Sequence, residues 1–312
     1  MKKCLFCYEP LLENEIYEYH KTCSKKIFNS ENNLIIPYTI DEIQELAKIV
    51  IERSIAIPGV QPKLSLSFEN QLNKEKRLTV IGAMGGDYIL KPPTEEYIDM
   101  PQNEHLTMLL ANLFGIQTAQ SSLIRLASNE LAYIVKRMDR NKDGSKIHML
   151  DMYQLTESYD KYKGTMERIG KTLDLFSVNP LFDKIRLFEI TLFCFITGNA
   201  DMHLKNFSMI ENNDEWSLSA CYDLLNTKIL TPKDPEEMAL LLDGKKSGFT
   251  KINFTHFGQN LGLNSKQIQT IFDNFSKRIE KGCELINKSF LSDEQKESYL
   301  QLFLNRLKRI LN

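Results

Sequence analysis

The densest chemistry in this chain lies in Gly198-Asn199-Ala200-Asp201-Met202-His203-Leu204-Lys205-Asn206-Phe207, with a second aspartate, Asp223, beyond the short hairpin predicted to follow. Asp201 and Asn206 stand five positions apart. That spacing suits phosphoryl transfer, in which one carboxylate accepts the proton of an attacking hydroxyl. Oxygen donors such as Asn206 and Asp223 hold hard Mg²⁺ against the phosphates. Taken alone, an Asp-x₄-Asn spacing is equally a polar surface loop. Upstream, Lys91 ends a predicted strand (Tyr88-Ile89-Leu90-Lys91) and Glu104 opens the next predicted helix. A strand lysine followed by a helix glutamate is the order of the ion pair that holds nucleotide phosphates in kinases. Singly, each of the two is an ordinary solvated charge; their order relative to the loop carries the weight.

A second cluster sits near the N-terminus, where Cys4, Cys7, His20 and Cys23 form C-x₂-C-x₁₂-H-x₂-C. Two short turns presenting four N and S donors suit tetrahedral Zn²⁺, and a closed four-ligand site is structural because no position remains for substrate. The competing reading is reduced cysteines packed as small hydrophobes in a short hairpin. A zinc ribbon also raises nucleic-acid or partner docking, but Lys2, Lys3, Lys21, Lys25 and Lys26 are offset by Glu9, Glu13, Glu15 and Glu18. A mixed, solvated surface is the reading adopted.

The elements that must position these groups follow from pattern. Residues 1–28 read as a small Cys/His module and 29–39 as a linker. Asp41 is expected to cap a helix over 42–52 with Ile43, Leu46, Ile49 and Val50 on one face. Residues 54–91 alternate as strands, with Gly82, Gly85, Gly86 and Asp87 marking turns. A helix follows over 104–114, capped by Asn103, and then strands over 122–126 and 131–137. After Asp151 the chain turns helical, with its strongest segment over 183–197, a hairpin at 207–210 and 216–219, and two closing helices near 266–280 and 293–310. The expected fold class is α+β: a two-lobed, protein-kinase-like fold with a strand-rich N-lobe over 29–140 and a helical C-lobe over 141–312, preceded by the zinc-knuckle-like segment 1–28.

Bulk properties exclude some classes. Over 312 residues the formal net charge is -2, which does not favour general nucleic-acid affinity. The longest apolar run, Leu187 to Ile196, is broken by Glu189 and falls far short of the ~20 residues a membrane span needs. Met1-Lys2-Lys3 is followed by acidic residues and by no signal-peptide core. Six unevenly placed cysteines do not make a disulfide framework, so a reducing cytoplasm is expected, with delivery into another cell left open.

Six ordered segments resemble the HipA family of serine/threonine kinase toxins. They are Ser54-Ile55-Ala56-Ile57-Pro58-Gly59-Val60-Gln61-Pro62-Lys63-Leu64, Ile89-Leu90-Lys91-Pro92, Glu104-His105, Val135-Lys136-Arg137-Met138-Asp139-Arg140, the Gly198–Phe207 loop, and Tyr222-Asp223. The likeness runs from about residue 40 to the C-terminus and is closest to the short HipT-like branch. It implies that Asp201 is the catalytic base, that Asn206 and Asp223 hold magnesium, and that Lys91, with Glu104, serves the ATP phosphates. It implies that Lys136 and Met138 lie in the hinge beside the adenine, and that His203 and Lys205 stabilise the loop or the transferring phosphate. Gly59 would belong to the phosphate-covering loop, and Ser54 at its start would be an autophosphorylated switch. Asp223-Leu224-Leu225 and the single glycine of segment 54–63 depart from ordinary protein kinases in the way this family does.

The resemblance further implies a protein substrate, an aminoacyl-tRNA synthetase, and an antitoxin partner encoded nearby, with neither direct nucleic-acid binding nor a membrane. Two other classes compete: a catalytically silent HipA-like binding protein acting through its N-terminal module, and a metal-dependent hydrolase using Asp201, His203 and Asp223. The presence of all of Lys91, Asp201, Asn206 and Asp223 favours the kinase.

Overall fold

A computed structural model describes residues 2–12, 17–31, 34–53, 63–70, 76–82, 86–141 and 143–311. Ser54 and Gly59 lie outside the described residues. The chain divides into two compact units, one of Met1–His105, Ala119–Ser145 and Lys288–Leu291, the other of Leu106–Thr118, Lys146–Asn287 and Ser292–Asn312.

The first unit contains helix α1 (Lys21–Phe28), strand β1 (Leu34–Ile35), α2 (Ile40–Arg53), β2 (Leu64–Asn70), β3 (Lys76–Gly82), β4 (Tyr88–Lys91), the start of α3 (Met100–Leu113), β5 (Ser121–Arg125) and β6 (Leu131–Lys136). Its six-stranded sheet has the order β1-β3-β2-β4-β6-β5, with β1 parallel to β3 and every other pair antiparallel. The stretch read as a linker therefore supplies an edge strand. Leu64, Leu66, Leu78, Tyr88, Leu90, Ala132, Tyr133 and Ile134 bury the sheet's apolar side chains. Gly86 is required where β4 begins: its φ is +80°, and a Cβ there would lie 2.4 Å from the Leu66 carbonyl oxygen.

Two helix starts differ from expectation. At α2, Thr39 rather than Asp41 forms the capping box. The Thr39 backbone N–H donates to Glu42 Oε2 at 2.7 Å and the Glu42 N–H to Thr39 Oγ1 at 3.3 Å. Ile43 and Ala47 are buried, whereas Ile49 is exposed. Helix α3 begins at Met100, because Pro101 is tolerated in a first turn where no N–H is needed, and Asn103 is buried inside it.

The second unit contains β7 (Met149–Asp151), α4 (Met152–Leu155), α5 (Met166–Phe176), α6 (Pro180–Thr197), β8 (Ser208–Asn212), β9 (Glu215–Leu218), α7 (Thr227–Leu230), α8 (Lys251–Asn260), α9 (Ser265–Ser276), α10 (Ile279–Lys288) and α11 (Asp293–Leu311). Three helices, not two, close the chain. Strands β7, β8 and β9 form an antiparallel sheet in that order. From Leu187 and Phe188 through Ile196 and Thr197, helix α6 is apolar nearly all round and correspondingly buried. Asn179 caps it, Pro180 opens it, and Gly198 ends it in the left-handed region. Arg306 of α11 donates to the Phe195 carbonyl at 2.5 Å, a terminal carbonyl of α6 that also accepts from the Gly198 N–H at 3.2 Å. No helix among the described residues is long and apolar enough to cross a membrane.

Gly198 joins this buried helix to the Asp201 loop. Its φ is +77°, and a Cβ would meet Asn226 Oδ1 at 2.5 Å and Leu302 Cδ2 at 2.9 Å. Gly198→Ala is expected to lower the unfolding free energy by about 1–3 kcal/mol through left-handed strain, more if Asn226 is displaced. Urea denaturation checks this, and a wild-type midpoint would show that the junction accommodates a Cβ.

Candidate active site

In the first unit, strand β4 lies between β2 and β6 and carries Lys91 opposite Tyr133. Its Nζ donates to Glu104 Oε1 at 2.6 Å, and the two residues are only 7% and 1% exposed. The ammonium also stands 5.6 Å from the centre of the Tyr133 ring, within cation–π range. The ordered pair Lys91 and Glu104 is thus a buried ion pair. Lys136 ends β6 with its side chain exposed, while its N–H donates to the Gln120 carbonyl at 2.8 Å. Met138 beside it is half-buried. Asp139 is part of a three-residue cluster. Arg137 grips it with two bonds of 2.9 and 2.7 Å, and Arg140 donates to Oδ2 at 2.6 Å. Burial works against its charge, but the two guanidinium groups hold the carboxyl below the usual range. The Arg137 arm of this cluster was not read from the sequence.

In the second unit, the loop after α6 is held by backbone bonds to fixed side chains. Thr227 Oγ1 accepts from the Ala200 N–H at 2.8 Å and donates to the Gly198 carbonyl at 3.2 Å. The Asn199 side-chain oxygen accepts from the Asp201 N–H at 3.2 Å. The His203 N–H closes a tight turn onto the Asp201 carbonyl at 2.8 Å, and Leu204–Asn206 make one 3₁₀ turn. Asp201 is half-buried, and its Oδ1 accepts from the Tyr162 hydroxyl at 2.9 Å. Burial and the charge of Asp201 push the Tyr162 phenol up, so it remains a donor at neutral pH. Nothing in the sequence marked Tyr162, a tyrosine in a polar loop whose role depends on tertiary packing.

His203 is buried and packs edge-on against Tyr162, with ring centres 5.2 Å apart. Burial holds its imidazole below the ordinary value, which favours the neutral ring. Lys205 lies 4.8 Å from the Tyr153 ring centre. Asn206 Nδ2 donates to Asp223 Oδ2 at 3.4 Å, so the two expected metal-binding residues are adjacent. Asp223 adopts φ +60°, an uncommon conformation for a residue with a Cβ. The preceding Tyr222 fixes the approach: its hydroxyl donates to the Lys205 carbonyl at 2.8 Å and lies 2.6 Å from Ser208 Oγ. One carboxylate and one carboxamide supply the hard oxygen donors that Mg²⁺ takes, so the pair fits such an ion by its chemistry.

The N-terminal cluster also assembles. One ligand atom from each of Cys4, Cys7, His20 and Cys23 lies within 4.8 Å of the other three. Hydrogen bonds from Cys23 and Cys7 hold the Cys4 thiol well below its ordinary range.

A Haemophilus influenzae protein bearing a kinase name is 26% identical, with the alignment covering 98% of this chain and 97% of that protein. The Shewanella oneidensis serine/threonine-protein kinase toxin HipA is 25% identical, aligned over 81% of this chain and 62% of its own length. Among solved structures, a chain of the Shewanella oneidensis HipA, HipB and operator DNA complex superposes with a TM-score of 0.66 at 22% identity, covering 85% of this chain and 70% of that one. The Helicobacter pylori proinflammatory kinase CtkA gives 0.55 at 16% identity over 74% and 90%. These likenesses establish a kinase fold of the HipA kind. Residues 55–283, more than half of the chain, match the family model described as the HipA-like C-terminal domain, and the chain belongs to that family.

Proposed function

We propose that this chain is a Mg·ATP-dependent serine/threonine protein kinase and the toxin of a HipA/HipT-like toxin–antitoxin pair. The observation that carries the reading is Asp201 held by the Tyr162 hydroxyl in the same braced loop that sets Asn206 beside Asp223. In the proposed reaction Asp201 takes the proton of a substrate serine or threonine hydroxyl. The freed oxygen forms a bond to the γ-phosphorus as the bond from that phosphorus to the β-bridging oxygen breaks, leaving ADP. Tyr162 would keep the carboxylate oriented, and His203, packed edge-on against Tyr162, would stabilise the loop or the transferring phosphate. Lys91, held by Glu104, would serve the nucleotide phosphates, and Lys136 and Met138 the adenine through backbone groups. Asn206 and Asp223 would hold magnesium, which when bound neutralises phosphate charge.

The substrate class proposed is an aminoacyl-tRNA synthetase, whose modification would arrest translation, and the restraining partner is an antitoxin from the same operon. Support comes from the family resemblance. The toxin name of the Shewanella relative and the HipB partner in its complex point the same way.

The decisive experiment is incubation with radiolabelled ATP and cell lysate, followed by identification of the labelled protein. Asp201→Asn should reduce transfer by about 10²-fold or more. Tyr162→Phe should reduce it less and leave nucleotide affinity unchanged. Labelling at wild-type rates by Asp201→Asn would overturn the assignment of the base.

Lys91→Ala leaves Glu104 charged in a buried place and should cost about 3–5 kcal/mol of stability as well as transfer. In the double variant Lys91→Met/Glu104→Leu, stability should return while transfer stays lost. Thermal denaturation beside the kinase assay separates the two effects, and recovery of both would mean the pair is only structural.

Ser54 is proposed as a regulatory autophosphorylation site. A phosphate there adds nearly two negative charges and three acceptors, which would oppose ATP phosphates. Intact-mass spectra should show one phosphate mapped to Ser54 in wild type and none in Asp201→Asn, and Ser54→Asp should lose ATP binding. Phosphate found only at other residues would defeat the switch.

A further inference from the structure

The first 28 residues are joined to the first unit in a way that gives the cysteine cluster a task. Cys4 and Cys7 occupy the tip of a hairpin closed by Cys4 N–H to Glu9 carbonyl, Tyr8 N–H to Cys4 carbonyl and Leu11 N–H to Lys2 carbonyl, each 2.9 Å. Tyr8, next after Cys7, is fully buried yet sits at φ +65°. A buried residue with a Cβ keeps that conformation only when its surroundings impose it. His20 stands at the N-cap position of α1, and Cys23 follows within the helix's first turn.

The spacing of the donor atoms matches one ion. With Zn–S near 2.3 Å and Zn–N near 2.0–2.1 Å, a tetrahedral centre sets sulfur and nitrogen about 3.5 Å apart. His20 Nδ1 lies 3.4 Å from Cys7 Sγ and 3.8 Å from Cys23 Sγ. The other ring nitrogen, Nε2, is 3.1 Å from the Pro10 carbonyl, to which it can only donate. That bond places the proton on Nε2 and leaves Nδ1 as a lone-pair donor facing the sulfurs, the arrangement in which metal-bound imidazoles are held.

The hairpin is in turn fastened to the sheet. Its Leu5 carbonyl accepts from the Leu123 N–H at 3.3 Å and the Ser122 hydroxyl at 3.2 Å, both on edge strand β5. Tyr19 donates to the Leu123 carbonyl at 2.6 Å. The Tyr8 hydroxyl lies 3.0 Å from Nδ1 of His105, the residue after Glu104, and the two rings pack edge to face with centres 5.2 Å apart. His105 is fully buried, and burial pushes its pKa down to about 3, so the bond joins two neutral groups.

We infer that Cys4, Cys7, His20 and Cys23 bind one structural Zn²⁺, and that the zinc-held hairpin braces the start of α3 through Tyr8 and His105, steadying Glu104 against Lys91. The zinc site stands on its own; its bearing on nucleotide binding rests on the kinase reading above.

Protein purified without chelator should carry about one Zn²⁺ per chain by elemental analysis and native mass spectrometry. Cys7→Ser should lose the metal, and a wild-type protein stripped by a strong chelator supplies the same comparison should that variant fail to fold. Stripping should lower Tm, and added Zn²⁺ should restore it. Hydrogen exchange in residues 100–105 should quicken both in the stripped protein and in Tyr8→Phe, which keeps its zinc. No metal in wild type, or a mass showing a disulfide among these cysteines, overturns the site. Unchanged exchange in residues 100–105 overturns the brace. Wild-type protein that binds zinc but not ATP would defeat the kinase reading and leave the zinc site intact.

Discussion

The constraint that orders the first unit is the burial of two opposite charges at 2.6 Å, Lys91 on β4 and Glu104 on α3. Taking either group out of water alone costs several kcal/mol, and only a close, well-directed partner offsets it. Such a pair therefore needs both backbones fixed. Strand β4 is fixed by hydrogen-bonded neighbours on both sides, and the Tyr133 ring lies beside the ammonium. Helix α3 cannot be fixed by a ladder, so its start depends on packing, in which Tyr8 against His105 takes part. An arrangement that costs this much to keep dry is weak evidence for stability and better evidence for a use.

The second unit solves a different problem, that of holding a polar loop at the end of an apolar helix. Backbone groups that leave a helix must find partners. Here they find short side chains: Thr227 serves both Ala200 and Gly198, Asn199 serves Asp201, and Asn226 caps α7 by accepting from the Ile229 N–H at 3.2 Å. The loop side chains are thus set by backbone geometry, which leaves the Asp201 carboxylate to face Tyr162 and the Asn206 amide to face Asp223.

What was legible in the sequence follows from these two solutions. Lys91, Glu104, Asp201, Asn206 and Asp223 stood out by type and order along the chain, and the structure pairs Lys91 with Glu104 and Asn206 with Asp223. The strands of the first unit were legible by alternation, and α6 by its long, nearly apolar stretch. Tyr162 and Arg137 were not, because their partners are set by tertiary packing and their residue types are ordinary at a surface. The short strand β1 escaped because two residues carry no periodicity, and its pairing with β3 is non-local. The helix expected near 266–280 corresponds to α9, whereas α10 (Ile279–Lys288) went unread, its short amphipathic pattern being interrupted by Gly282.

The N-terminal segment shows why four ligands would be placed where a hydrophobic core might have stood. Twenty-odd residues cannot bury enough apolar surface to order themselves. This segment buries Leu5, Tyr8, Leu11, Tyr19, Ile27 and Phe28, with Tyr19 and Phe28 meeting edge to face and Phe28 also packing on Tyr88 of β4. Those contacts hold it on the sheet, and at the hairpin tip Tyr8 keeps a left-handed backbone with its ring against His105 and Phe290. Covering β5 also removes an exposed strand edge, which would otherwise invite pairing with another chain. A metal joining the tip to the start of α1 would fix Tyr8 from both sides with a few directed bonds. The cluster would then belong to the mechanics of α3 and of the ion pair that Glu104 makes on it.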